Sequence, residues 1–547
     1  MTERVRDRSL SGRYILAGLL IAVFAAHIGA IGNGFLYDDY HLIAENPAVL
    51  THDWTAVWTS PDAASRDAAG RGFRPVTIST YLIDHAVGGG RPAVYHATQI
   101  GLHLGVVYVI YLVVTAVGLA PRWGGVAAIV AGLHPMQIEA VHYLSARSSV
   151  LGTLGVLVSI WAYLRGRERA EGGRVWSAVS LAAMALAVLS KESAAVGVVW
   201  FVAYERLIAR VAWRETARRV APHAAVAAAC VVPAWLALRG GGHGATVAFS
   251  DATATGVSAI GRHLTGIIFP VGLDPVTPHT WIGWTNPTAW MAAAALVAVC
   301  AAGYALRARV PLAAWGIACG VSGVLPIMAL PFVTNVALVQ PHRGYQAVAG
   351  LAVALTAWLA AVEARLWPAR ESDRARRATR VMGAAMLGVV VVLVAVNIAA
   401  GRVWRDEVGF WARAATHYPG EASYRHSLGA ARFRAGDSVG AIEDLSRALV
   451  LDPELPRAAY NLGVAYTRLG RHDEAIAAFE RAVTRDASDV KAWANLGRLY
   501  EARGDASRAL AAYRTALDIA PGATAIRDRI VALDATRAGD RSTGERR

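Results

Sequence analysis

Residues 456–489 read PRAAYNLGVAYTRLGRHDEAIAAFERAVTRDASD, and residues 490–523 read VKAWANLGRLYEARGDASRALAAYRTALDIAPGA. The two stretches are equal in length and keep one register. Leu462-Gly463 in the first falls on Leu496-Gly497 in the second, and Leu428-Gly429 marks a third copy 34 residues upstream. Ala441, Ala475 and Ala509 share the interval, as do Ala448, Ala482 and Ala516. Tyr466 matches Tyr500 in the first half of the unit, and Phe479 matches Tyr513 in the second. Pro453 and Pro521 close the first and third copies, with Ala487 at the equivalent place between them. A period of this length with small residues at fixed places describes a helix-turn-helix unit whose two helices approach closely and stack on the next unit.

The unit resembles the tetratricopeptide repeat. In the first copy Arg425 and Arg432 stand where the usual pattern has Trp and Tyr. A partial repeat is expected ahead of it, within Trp404 to Tyr418. Beyond residue 523 the chain turns charged, which suits one capping helix to about Ala535 and then a solvated, disordered tail.

Almost everything upstream is apolar. Hydrophobic residues make up 55% of the 547 and charged residues 17%, with a mean hydropathy of +0.37. Runs long enough to cross a bilayer explain this bias. About eleven spans are expected, near 13–31, 97–119, 123–142, 147–164, 175–190, 193–209, 219–238, 288–306, 310–330, 344–364 and 379–401. The net charge of +14 does not point to nucleic acid, because the basic residues sit largely in short loops between spans. With the N-terminus in the cytoplasm, the arginines of 165–174, 206–219, 307–309 and 365–380 all fall inside, as the positive-inside rule requires. The stretch 256–273 is expected to be re-entrant or interfacial, since a further span would turn the run from Arg365 to Arg380 outward. The basic start before the first run resembles a signal peptide but lacks a clear cleavage site, so it is expected to remain as the first helix. The three cysteines lie in apolar runs without paired spacing, so neither a disulfide frame nor a zinc site is expected.

Charged residues recur on the expected outer side. Asp38 and Asp39 follow the first span directly. Neighbouring carboxylates repel, so one can stay ionised as a base or ligand while the other is tuned. A helix cap or a turn is the plainer reading, since Asp favours both. His134, Glu139, His142 and Arg147 follow the third span, Lys191 and Glu192 separate the fifth and sixth, and His342, Arg343 and Tyr345 precede the tenth. Ionisable groups at membrane depth are costly and face a cavity or a partner. Interhelical pairing is one outcome; a shared outer cavity suited to an anionic, lipid-linked substrate is the other.

These elements occur in a recognisable order: Tyr37-Asp38-Asp39, an Arg74-Pro75 element leading to Tyr81, His134-Pro135 before Glu139-Ala140-Val141, Ala146-Arg147, Ser190-Lys191-Glu192, His342-Arg343-Gly344-Tyr345, and Trp404-Arg405-Asp406-Glu407 entering the repeats. The order resembles the transmembrane and tetratricopeptide repeat (TMTC) O-mannosyltransferases and their bacterial relatives, of the GT-C glycosyltransferase superfamily. The resemblance implies an all-α protein: a polytopic GT-C-like membrane domain over 1–401 with a first outer loop at 32–96, a linker or partial repeat over 402–420, repeats with a capping helix over 421–535, and a tail over 536–547.

The resemblance further implies a sugar, mannose in the family, moved from a polyprenyl-phosphate donor to Ser or Thr hydroxyls of exported proteins outside an inner, cytoplasmic membrane. Asp38, Asp39 and Glu139 take the catalytic positions. Arg343 is the first candidate for the donor phosphate, with Arg147, Lys191 and Arg74 beside it. His134, Glu192, His342 and Tyr345 line the substrate cavity. The family's acid ahead of the basic-aromatic element is absent here, where His342 stands before Arg343. No resident cofactor or metal site is implied, although the acids leave room for a divalent ion. The acceptor protein would reach the site through the repeats, and membrane lipids surround it. Two other classes fit the same architecture: a non-catalytic scaffold that recruits partners through its repeats, and a transporter of lipid-linked glycans. The first predicts that Asp38→Ala changes nothing chemical; the second predicts translocation without an acceptor.

Overall fold

The computed structural model describes residues 2–65, 73–168, 172–239, 248–270, 277, 280–332, 340–367 and 373–544. The described residues are helical or irregular, with no strand among them. The chain forms two compact units, Met1–Arg405 and Asp406–Arg547.

In the first unit, eight helices among the described residues are long and apolar enough to cross a membrane: Tyr14–Gly32, Pro92–Ala116, Leu144–Glu168, Gly173–Ser190, Pro287–Leu306, Pro311–Ala329, Pro341–Leu366 and Val381–Trp404. Two of the eleven expected spans are broken into shorter segments, and a third carries two prolines. The 123–142 run stops as a helix at Leu133, because Pro135 disfavours helical backbone at His134, which is extended at φ −64 and ψ 128. A 3-10 turn, Pro135–Gln137, and a short helix, Ile138–His142, follow. The 193–209 run is broken into Glu192–Gly197, Val198–Ala203 and a π-helical turn, Tyr204–Ile208. The 219–238 run belongs to a helix from Trp213 to Arg239 with Pro222 and Pro233 inside it. The ambiguous 256–273 stretch falls in the helix Phe249–Ile268, which buries Ala252, Thr255, Ala259 and His263 on one face. Its end beyond residue 270 lies outside the described residues.

Glycine sets one close helix pair. A Cβ on Gly316 would sit 2.4 Å from the backbone nitrogen of Ala354, and one on Gly350 would sit 2.3 Å from that of Gly320. The helices Pro311–Val324 and Tyr345–Leu366 therefore touch backbone to backbone, as small residues permit in membranes. That contact fixes the helix carrying His342 and Arg343 just ahead of its start.

In the second unit, three helix pairs match the repeat: Ala422–Arg434 with Ser438–Leu451, Pro456–Arg468 with His472–Arg485, and Val490–Ala502 with Ala506–Ile519. Gly436, Gly470 and Gly504 end the first helix of each pair at φ 91, 71 and 80, the left-handed turn that favours glycine. Arg425 and Arg432, the departures in the first repeat, both pair with the buried Asp444 at 3.1 Å. The 402–420 stretch contains a helix, Glu407–His417, whose Trp411 ring lies 6.0 Å from Tyr424. The last helix packs Ile526, Ile530 and Leu533 on the array and continues to Gly544, past the Ala535 end expected for it.

Candidate active site

Tyr37, directly before the acidic pair, has a positive φ of 47. Such backbone is uncommon for a bulky residue and is held only where the surroundings determine it. The two aspartates that follow are not equivalent. Asp39 is fully buried. One of its oxygens accepts from the Leu36 backbone N–H at 3.0 Å, and the other from the N–H and hydroxyl of Ser145 at 2.8 and 2.5 Å. Burial pushes its carboxyl up to about 7, against the pull of those hydrogen bonds. Asp38 is about a third exposed and lies 3.6 Å from His41. Of the pair, Asp38 is the one that solvent or a substrate reaches.

A small polar pocket, partly open to solvent, lies between the segment at 191–194 and the start of the helix at Tyr345. Its walls include Ser149, Thr153, Lys191, Ser193, His342 and Arg343. Lys191 donates to Ser149 Oγ at 2.6 Å. Burial first, and then the nearby charge of Arg74, lower its ammonium to about 7. Arg74 grips Glu192 in a two-point fork at 3.0 and 2.8 Å. Burial opposes ionisation of Glu192, but the charge and hydrogen bonds of Arg74 outweigh it and hold the carboxyl at about 2. Arg343 is anchored through Nε to Gln340 at 3.1 Å and lies within electrostatic reach of Glu139, Arg74, Glu192 and Asp38. Glu139 is buried and faces His342: one oxygen accepts its backbone N–H at 2.8 Å, and the other lies 3.1 Å from Nδ1. Among the described residues, no three His, Cys, Asp or Glu side chains converge to hold a metal ion.

Three residues expected at the site are engaged elsewhere. Arg147 is fully buried and donates to Gln99, Thr80, Asp84 and the Tyr95 carbonyl at 3.0, 3.1, 2.5 and 2.7 Å. Its guanidinium also lies over the Tyr81 ring at 4.7 Å. It is a fastener between helices. Tyr345 donates its hydroxyl to His103 Nδ1 at 2.5 Å; the donor is assigned because the other His103 nitrogen faces the Gly132 carbonyl at 3.0 Å and must carry the proton. His134 bridges the Met136 N–H and the Ile267 carbonyl at 3.2 and 2.9 Å. Sequence reasoning missed Tyr143 and Ser145, which contact the acidic pair, and the hydroxyls of Ser149, Thr153 and Ser193. All are neutral, and nothing in their spacing distinguishes them from helix-lining polar residues.

Residues 426–490 and 460–524 match the tetratricopeptide repeat family model. The protein O-mannosyl-transferase Tmtc1 of Drosophila melanogaster is 28% identical over 206 residues, 36% of this chain and 22% of that protein. TMTC3 of Mus musculus is 27% identical over 185 residues, covering 32% and 20%, and TMTC4 of Homo sapiens is 26% identical over 208 residues, covering 33% and 27%. The matches take in 20 to 27% of these relatives' own length. The crystal structure of MamA overlaps 24% of this chain and 77% of its own, at 25% identity and a TM-score of 0.23. The chain combines several helices long and apolar enough to cross a membrane with tetratricopeptide repeats, and over about a third of its length it is similar to the TMTC protein O-mannosyl-transferases.

Proposed function

We propose that this protein is an integral membrane glycosyltransferase. It moves a sugar, mannose by analogy with the relatives, from a polyprenyl-phosphate donor to Ser or Thr hydroxyls of proteins. The observation that carries the reading is a cationic, hydroxyl-lined pocket beside an acidic pair. Lys191 and Arg343 line it together with Ser149, Thr153 and Ser193, and Arg343 is within electrostatic reach of Asp38. Two cations and several hydroxyls suit an anionic phosphate. A carboxylate nearby suits proton removal from a weak nucleophile.

In this mechanism the acceptor hydroxyl oxygen attacks the anomeric carbon while the bond from that carbon to the phosphate oxygen breaks. The bonding pair leaves with the phosphate, where Lys191 and Arg343 stabilise the charge that develops. Asp38 takes the hydroxyl proton, and direct displacement inverts the anomeric centre. Asp39 is enclosed and anchors the pair. Glu139 holds the segment bearing His342 and Arg343. Arg74 and Glu192 form the wall beside Lys191. The repeats present the acceptor segment, as helix-pair arrays bind extended chains. The positive-inside rule supports an N-terminus in the cytoplasm of an inner-membrane protein, with the acidic pair and the repeats on the outer side.

The test is glycan mass spectrometry of envelope proteins from the intact strain, a deletion, and the deletion complemented with the parent, Asp38→Asn or Arg343→Ala. Hexose-sized additions on Ser or Thr should vanish on deletion and return only with the parent gene. Full complementation by both point variants would indicate a scaffold. Lipid translocation into liposomes without an acceptor would indicate a transporter.

A further inference from the structure

Asp38 and Asp39 are both met by one short turn. Tyr143 follows the helix Ile138–His142 directly, and Ser145, two residues on, sits in the 3-10 turn Leu144–Ala146 that opens the Leu144–Glu168 span. Ser145 holds Asp39 through two hydrogen bonds. The Tyr143 hydroxyl is buried and lies beside Asp38, within interaction range but without full hydrogen-bond geometry. The turn is braced from both sides. The Tyr81 hydroxyl donates to the Leu144 carbonyl at 2.8 Å. The Trp404 ring, at the end of the last membrane helix, stacks on Tyr143 at 5.6 Å and 26°.

We propose that the turn Tyr143–Leu144–Ser145 is a positioning cradle that assigns the two aspartates different tasks, with Ser145 fixing Asp39 as the anchor and Tyr143 aligning Asp38 as the base. This rests on the glycosyl-transfer reading above. Tyr143 holds its proton firmly, since burial and then the Asp38 and Asp39 charges push the phenol well up. It therefore remains a donor at every working pH. A donor to Asp38 favours the ionised carboxylate and orients the oxygen that receives the acceptor proton. The other titratable groups facing the pair are Tyr37, His41, Tyr81 and Arg343. None of them belongs to the turn, so changes in the turn leave their number unchanged.

The test uses the full-length protein in nanodiscs with a polyprenyl-phosphate-sugar donor and a Ser/Thr peptide. Tyr143→Phe should lower kcat, leave the donor KM near the parent value, and move the acidic limb of the pH–rate profile upward. The deficit should reach roughly tenfold at low pH and close at high pH, since losing a donor makes Asp38 harder to ionise. A deficit equal at all pH values would mean a packing role only and would overturn the Tyr143 part. Trp404→Phe, which keeps a stacking ring, should retain the parent profile, and Trp404→Ala should reproduce that of Tyr143→Phe.

A second arm needs no catalysis. Asp39 is raised in the fold, so its contribution to stability is present at low pH and fades as pH rises through about 7. Ser145→Ala should extend that fading to higher pH, Ser145→Thr should restore it, and Asp39→Asn should abolish the difference. Unchanged Tm–pH curves for Ser145→Ala would overturn the Ser145 part. Should the parent transfer no sugar while the Tm arm behaves as stated, the glycosyl-transfer reading fails and the anchor stands.

Discussion

Arg147 donates to Asp84 at 2.5 Å, with 0% of one side chain and 4% of the other exposed. The cation is therefore committed to the protein. Arg147→Ala should destabilise the membrane unit by about 3–5 kcal/mol, because it strands a buried carboxylate. Arg147→Lys should recover little, since a point charge cannot reproduce four directed bonds. Thermal unfolding in detergent reads the loss, and a donor titration of the folded fraction should return the parent Kd. A weakened Kd with an unchanged Tm would restore Arg147 to the donor site.

Asp38 and Asp39 should separate by phenotype. Asp38→Asn should cost about 10²–10⁴ in kcat, the range for a lost general base, and leave Tm near the parent because the residue is partly exposed. Asp39→Asn presents an N–H₂ group to the Leu36 and Ser145 donors and should cost about 1–3 kcal/mol of stability. Parallel kcat and Tm measurements decide; equal losses of both in the two variants would contradict the division of labour.

Lys191 is lowered to about 7, so its charge is present below that pH and lost above it. A phosphodiester donor carries one charge throughout, so the ligand itself does not titrate. Donor affinity should fall as pH rises above 7, by up to about tenfold per unit, with a proton taken up on binding. Calorimetry between pH 6 and 9 in buffers of different ionisation enthalpy measures both. Lys191→Arg stays charged and should flatten the dependence.

Gly497 lies against the Tyr513 ring, where an added Cβ would come within 2.5 Å, and Gly463 lies against Phe479 at 2.9 Å. Either Gly→Ala change should open the repeat locally, at about 1–3 kcal/mol for overpacking. Hydrogen exchange across Val490–Ala502 and Ala506–Ile519 should accelerate in Gly497→Ala more than in the neighbouring pair. Uniform exchange would contradict close helix contact at that position.

The repeat array was legible because its packing rule is written as a period. Gly470 and Gly504 recur where a left-handed turn is needed, and Ala475 and Ala509 where helices touch. The membrane part was legible in kind, since long apolar helices have no other solvent. Its count was not: Pro135 and the breaks after Lys191 turn apolar runs into short segments, and hydropathy does not register a break in direction. The candidate site was legible as a set of charges beside spans, because an ionisable group near lipid needs a reason. Which reason applied was decided only by the fold. Lys191 and Arg343 line a pocket and Arg147 does not, because Asp84, Gln99 and Thr80 converge on it from other helices. Asp39 is buried and Asp38 reachable, although they are neighbours in the chain, because Ser145 arrives 106 positions later to enclose one of them. Composition and period act along the chain and can be read there. The role of a polar group is set by the partners that desolvate and pair it, and tertiary structure supplies those.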